Sequence, residues 1–162
     1  MSNISIRTIE PRDNPAIASI IRNALTEFGG NRPGTVFYDE TTDRLFELFK
    51  KPRSIYYIVE EADKILGGAG IYPTDGLPDD TAELVKIYLS ADARGKGLGK
   101  LLISKTLEFA RGNGYKHVYL ESLPELKKAV GIYEKFGFRH LNGPLGNSGH
   151  FGCDILMIKD LM

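Results

Sequence analysis

The chain is poor in cysteine: Cys153 stands alone among 162 residues. An internal disulfide is therefore excluded, and the composition agrees with a reducing cytoplasm. An excess of one charge sign is also missing, because 21 Lys and Arg offset 21 Asp and Glu. A balanced chain has no electrostatic footprint for nucleic acid or for an anionic membrane. No apolar run approaches the roughly 20 residues that cross a bilayer. The start, Met1-Ser2-Asn3-Ile4-Ser5-Ile6-Arg7, lacks the apolar stretch of a secretory signal. Repeats and low-complexity tracts are missing too. These absences leave one cytoplasmic domain, residues 1–162, large enough to bury a core.

Periodicity gives the order of elements. Asn3 to Ile9 alternates as a strand, ended by Pro11. Asp13 or Asn14 caps a helix with Pro15 in its first turn, and Ile17, Ile20, Ile21, Ala24, Leu25 and Phe28 recur at helical spacing up to Gly29-Gly30. Asn31 to Phe37 reads as a loop, and Asp39 to Lys50 as a second helix. Ser54–Glu60 and Ile65–Tyr72 form an antiparallel hairpin, and Thr81–Leu89 is a further strand after the loop Pro73–Asp80. A helix from Lys100 to about Arg111 stops at Gly112-Asn113-Gly114. Tyr115–Glu121 is a strand, Leu126–Phe136 a short helix, and Phe138–Leu141 with Phe151–Ile158 a closing hairpin. The order, β-α-α-β-β-β-α-β-α-β-β, is mixed α/β.

The richest stretch is Arg94-Gly95-Lys96-Gly97-Leu98-Gly99, between a strand and a helix. Glycines let a backbone approach a ligand, and a helix N-terminus offers unpaired N–H groups to phosphate. A P-loop is excluded because Leu101 follows Lys100 where the magnesium-binding hydroxyl would stand. A nicotinamide dinucleotide site is a weaker alternative. Glu121 lies at the right distance for its acid, but Gly-x-Gly-x-Gly departs from that fingerprint.

The same string resembles the acetyl-coenzyme A signature of the GNAT superfamily of N-acetyltransferases, with Arg94, Gly97 and Gly99 in its defined places. Glu83-Leu84-Val85-Lys86-Ile87-Tyr88-Leu89 looks like that family's fourth strand, and Ala129-Val130-Gly131-Ile132-Tyr133-Glu134-Lys135-Phe136-Gly137-Phe138 like its last-helix motif. The resemblance is sharpest from Glu83 to Phe138. It implies the acyl-CoA N-acyltransferase fold, a central twisted and mostly antiparallel sheet flanked by helices. It also implies acetyl-CoA as co-substrate, no metal, and transfer to a primary amine by direct attack in a ternary complex.

Four chemical needs distribute over the residues. By resemblance, the backbone of Gly95, Lys96, Gly97, Leu98, Gly99 and Lys100 holds the pyrophosphate, with charge from Lys96 and Lys100; Lys105 is as well read as a solvated helix face. Ile87, Tyr88 and Leu89 would pair with the pantetheine arm, and an N–H at Ile87 or Leu89 would polarise the thioester. An alkylammonium of pKa ~10 must lose a proton. Glu83, expected on one strand face with Val85, Ile87 and Leu89, is the suggested base; a strand-end carboxylate in solvent or paired with lysine is the plain alternative, and Glu121 the second candidate. Tyr133 would touch the sulfur and protonate the thiolate; otherwise it is a core tyrosine with Val130, Phe136 and Phe138. Leu126 stands where many relatives carry Asn against the cofactor.

The tail Pro144 to Asp154 resembles the ends of small bacterial GNAT proteins, some fused to a MarR-type regulator. His150, Cys153 and Asp154 lack zinc spacing. This loop either shapes the acceptor pocket or is a simple turn. Phe28, Phe37 and Tyr38 are candidate acceptor-pocket aromatics or ordinary core and surface rings. A small-molecule amine is the expected acceptor, a protein amine the alternative, and homodimers are common in the family. The competing classes are a non-catalytic acyl-CoA sensor and a nicotinamide-dependent oxidoreductase.

Overall fold

A computed structural model describes residues 3–161. Its strands are β1 (Ile4–Thr8), β2 (Ile55–Glu61), β3 (Lys64–Tyr72), β4 (Thr81–Leu89), β5 (His117–Ser122), β6 (Arg139–His140) and β7 (Ile155–Asp160). Its helices are α1 (Asn14–Glu27), α2 (Leu45–Leu48), α3 (Leu98–Gly112) and α4 (Lys127–Lys135). The strands form one sheet in the order β1-β2-β3-β4-β5-β7-β6. Every pair is antiparallel except β4 with β5. The expected sequence of elements and the mostly antiparallel mixed sheet are both present.

Each face of the sheet carries its own core. Ile17, Ile21 and Leu25, one helical face of α1, pack with Tyr56, Ile58 and Leu123. Leu98, Leu102, Ile103 and Leu107 of α3 pack on Val59, Ile71, Leu84 and Leu120, and Tyr133 and Phe138 join them. Each such side chain contributes about 2 kcal/mol by leaving water.

Two expectations are corrected. The helix over Asp39–Lys50 is broken into a 3-10 turn, Glu40–Arg44, and the short α2. Asp39 accepts hydrogen bonds from the Thr41 N–H (2.9 Å) and hydroxyl (2.7 Å), a local arrangement that competes with the helical ladder. The last strand begins at Ile155 rather than Phe151, because Phe151 and Gly152 lie in a turn whose Gly152 N–H donates to Gly34 O at 2.7 Å.

The feature that positions the site is an irregularity in β4. Gly70 pairs with Val85 and Gly68 with Tyr88, so Lys86 and Ile87 together oppose Ala69. This is a β-bulge, and Lys86 adopts φ 52 within it. Left-handed backbone at a lysine costs on the order of 1 kcal/mol. The Tyr56 hydroxyl, fully buried, donates to Lys86 O at 2.6 Å and braces the bulge. Pairing of β4 with β5 stops at Leu84–Leu120, while β4 continues to Leu89. The two parallel strands therefore part, leaving the outer half of β4 without a partner on that side.

Candidate active site

The bulge also reverses the alternation of side chains. Ala82, Leu84, Ile87 and Leu89 pack toward α3, whereas Val85 and Tyr88 pack toward α1. Glu83 pairs with Tyr72, whose ring lies on the α1 side, and with Tyr119. The expectation that Glu83 shares a face with Ile87 and Leu89 is thus wrong: one extra residue puts them on opposite sides.

The glycine loop leads from β4 into α3. Gly97 is the N-cap at φ 77, and Gly95 has φ 80, both positions that side chains resist. A Cβ at either would meet no atom within 4 Å, so the backbone conformation is what requires glycine. No side chain caps α3, and its first-turn N–H groups are left for a ligand. Gly95, Lys96, Gly97 and Lys100 are exposed, while Leu98 anchors the turn in the core. Arg94 is turned back on the protein: it donates to Glu27 (2.6 Å) and Leu89 O (3.2 Å) and lies over the Phe28 ring at 4.9 Å. Its guanidinium braces the loop, and backbone is what the loop presents.

Tyr133 projects from the end of α4 into the core on the α3 side, 4% exposed, with its ring edge-on to Phe138 at 5.9 Å. Its hydroxyl makes no hydrogen bond with any described residue. Burial raises its pKa further above the ordinary phenol value, so it holds its proton.

Glu83 lies in a buried polar network. It is 2% exposed and accepts from the Thr74 hydroxyl at 2.6 Å. Neither plain alternative for this residue, solvent exposure or a lysine pair, describes it. Burial pushes its carboxyl up to about 7, against the Thr74 hydrogen bond and with help from the charge of Glu121. Glu121 accepts from the Tyr119 hydroxyl at 2.7 Å and from the Ser148 hydroxyl. Polar atoms of Glu83, Glu121 and His150 all lie within 4.8 Å of one another. His150 Nε2 meets Asp39 Oδ2 at 2.8 Å, and Lys86 Nζ, almost fully buried, reaches the same oxygen at 3.4 Å. Burial opposes the charge on Asp39, yet the His150 hydrogen bond, Lys86 and Thr41 hold its carboxyl far below the usual range. Asp39, His150, Ser148, Glu121 and Tyr119 are linked by hydrogen bonds, and Glu83 lies against this chain with Thr74 as its own partner.

His150 therefore separates from its chain neighbours Cys153 and Asp154. Asp154 is exposed, and Cys153 packs toward α1 with its thiol raised to about 12 by burial and by the charges of Glu121 and Glu83. A cavity of about 440 Å³ adjoins the network, with Tyr38, Asp39, Ser148, His150 and Phe151 in its wall. The loop from Pro144 to Asp154 thus forms one side of a cavity. Of the three expected aromatics only Tyr38 lines it; Phe37 packs on the α1 core and edge-on to Tyr38 at 5.0 Å, and Phe28 lies under Arg94. Asp39, Lys86 and Ser148 escaped sequence reasoning. A lysine inside the apolar run Leu84-Val85-Lys86-Ile87 was a usable signal, whereas Asp39 and Ser148 had none.

Comparison with known proteins places this geometry in a family. The acetyltransferase (GNAT) family pattern matches residues 18–138, and the chain belongs to that family. It is 38% identical over 167 aligned residues to the uncharacterized N-acetyltransferase YjgM of Escherichia coli K12, covering 99% of this chain and all of that one. Among solved structures, a GNAT-family acetyltransferase of Staphylococcus aureus Mu50 superposes with a TM-score of 0.87 at 15% identity, over 98% of this chain and 99% of the other. The yncA protein of Salmonella typhimurium, solved with its cofactor acetyl-CoA, gives 0.75 at 20% identity over 99% and 95%. The family and fold expected from the motifs are thus present, the chain is an acyltransferase, and the nicotinamide alternative is set aside. No helix among the described residues is long and apolar enough to cross a membrane.

The raised Glu83 carboxyl links stability to pH. In the folded protein it keeps its proton up to about 7, while in the unfolded chain it loses it near the ordinary value of 4.5, so stability falls as pH rises between the two. Replacing it by Gln removes a penalty on the order of 3 kcal/mol above that window. Denaturant unfolding should show Glu83→Gln more stable than wild type at pH 8, with most of the gain gone at pH 5. An equal difference at both pH values contradicts the buried-acid assignment.

Proposed function

We propose that the chain is one catalytic domain over residues 1–162 that moves an acetyl group from acetyl-CoA to a small-molecule primary amine by direct attack in a ternary complex. One observation carries this reading: the parting of β4 and β5 lies between an uncapped glycine-led helix and a buried carboxylate of raised pKa. The first-turn N–H groups of α3 fit a diphosphate, with Gly95, Lys96, Gly97, Leu98, Gly99 and Lys100 around it and Arg94 as brace. The free edge of β4 at Ile87, Tyr88 and Leu89 fits an amide-bearing arm, and its N–H groups polarise the thioester carbonyl. The co-substrate supplies an activated acetyl group.

Glu83 accepts a proton from the acceptor ammonium, directly or through water; a carboxyl near 7 is half ionised at neutral pH and suited to the task. The amine nitrogen bonds to the carbonyl carbon, the carbon–sulfur bond breaks as that nitrogen releases its second proton to solvent, and Tyr133 gives its phenolic proton to the thiolate. Solvent then takes the proton from Glu83 and restores the one on Tyr133. Glu121, already accepting two hydrogen bonds, assists by its charge. A non-catalytic acyl-CoA sensor would have no use for a buried base beside an open cavity.

Calorimetric titration tests the loop. Acetyl-CoA should bind near one per chain in preference to NADH, and Gly97→Asp, which adds bulk and negative charge at a left-handed position, should weaken it at least about 100-fold. Preference for NADH, or unchanged affinity in the variant, refutes the assignment. Tyr133→Phe should lower kcat about 10- to 100-fold, with acetyl-CoA affinity nearly intact. An unchanged rate in a chemistry-limited assay removes Tyr133 from the mechanism.

A further inference from the structure

We infer that the acceptor is a primary amine with a single positive charge, an aryl or alkyl body and no carboxylate, held in the cavity beside the Glu83–Glu121 pair. This rests on the transferase reading above and deepens it. The cavity's volume, about 440 Å³, lies in the range of small-molecule sites. Its inner wall leads to the carboxylates: Ser148 donates to Glu121, and His150 lies within 4.8 Å of both Glu83 and Glu121. An ammonium at that wall is separated from the two carboxylates only by the Ser148 and His150 side chains.

The rest of the lining selects the body of the amine. Among the described residues no Lys or Arg lines the cavity. Lys86, the nearest cation in the network, is spent on Asp39, and Arg32 is held by Glu125 and by Gly152 O. An amino-acid carboxylate would find no counter-charge in the wall to offset the hydration it gives up there. A second ammonium fares no better, because Asp39, the one carboxylate in the wall, already holds His150, Lys86 and Thr41.

The mouth is aromatic instead. Tyr38 is 60% exposed and Phe151 82%, and both line this cavity. Only two other large hydrophobic side chains, Phe28 and Leu101, are exposed among the described residues. Aromatic surface left in water at the rim of a site is the part of the cavity that an apolar body would cover.

The test pairs binding with turnover. With acetyl-CoA present, 2-phenylethylamine should be acetylated with kcat/KM about 100-fold above L-phenylalanine, which differs by one carboxylate, and above putrescine, which adds a second cation. In calorimetric titrations without acetyl-CoA, Tyr38→Ala and Phe151→Ala should each weaken 2-phenylethylamine about tenfold. Acetylation of phenylalanine or putrescine at least as fast overturns the acceptor class and leaves the transferase reading standing. Unchanged amine affinity in both variants overturns the assignment of the cavity. Failure to acetylate any of the three, with acetyl-CoA bound, counts against the transferase reading itself.

Discussion

One extra residue in β4 governs the site. The bulge at Lys86, held by the Tyr56 hydroxyl on its carbonyl, turns a strand that begins in regular pairing with β5 into one that leaves it. The same insertion sets Glu83 on the α1 side and Ile87 and Leu89 on the α3 side. A ligand in the gap can then meet the candidate base from one face and the glycine loop from the other. The left-handed conformation at Lys86 is a local cost that the packed sheet around it sustains.

The electrostatics follow from that placement. Three carboxylates, Glu83, Glu121 and Asp39, converge with one lysine and one histidine. Lys86 and His150 go to Asp39, and hydroxyls of Tyr119 and Ser148 go to Glu121. Glu83 receives a single hydroxyl, and its proton is the one that burial retains. That single partner and its near-complete burial distinguish the candidate base from the better-solvated Glu121.

Much of this was legible in the chain. The glycine string and the tyrosine motif carry local requirements, positive φ and helical periodicity, that neighbouring residues fully express. The order of elements along the chain and the α3 and α4 helices are legible for the same reason. Strict alternation along β4 was the misleading inference, because a bulge shows no local composition beyond a lysine in an apolar run. The broken helix after Asp39 comes from a local Asp39–Thr41 arrangement that periodicity does not reveal, and the meeting of Asp39 with His150, 111 residues on, depends on a tertiary contact. No window of sequence contains both partners, so that half of the site could be read only from the fold.

The central claim is that Glu83 is the base, tuned by its burial on the α1 face. Its most direct test is the pH dependence of kcat/KM for wild type and Glu83→Gln with one amine acceptor. The account predicts a wild-type rate that rises through a group near pH 7, and a variant that lacks this limb and is about 100-fold slower at neutral pH. The same limb at a similar rate in the variant would contradict it.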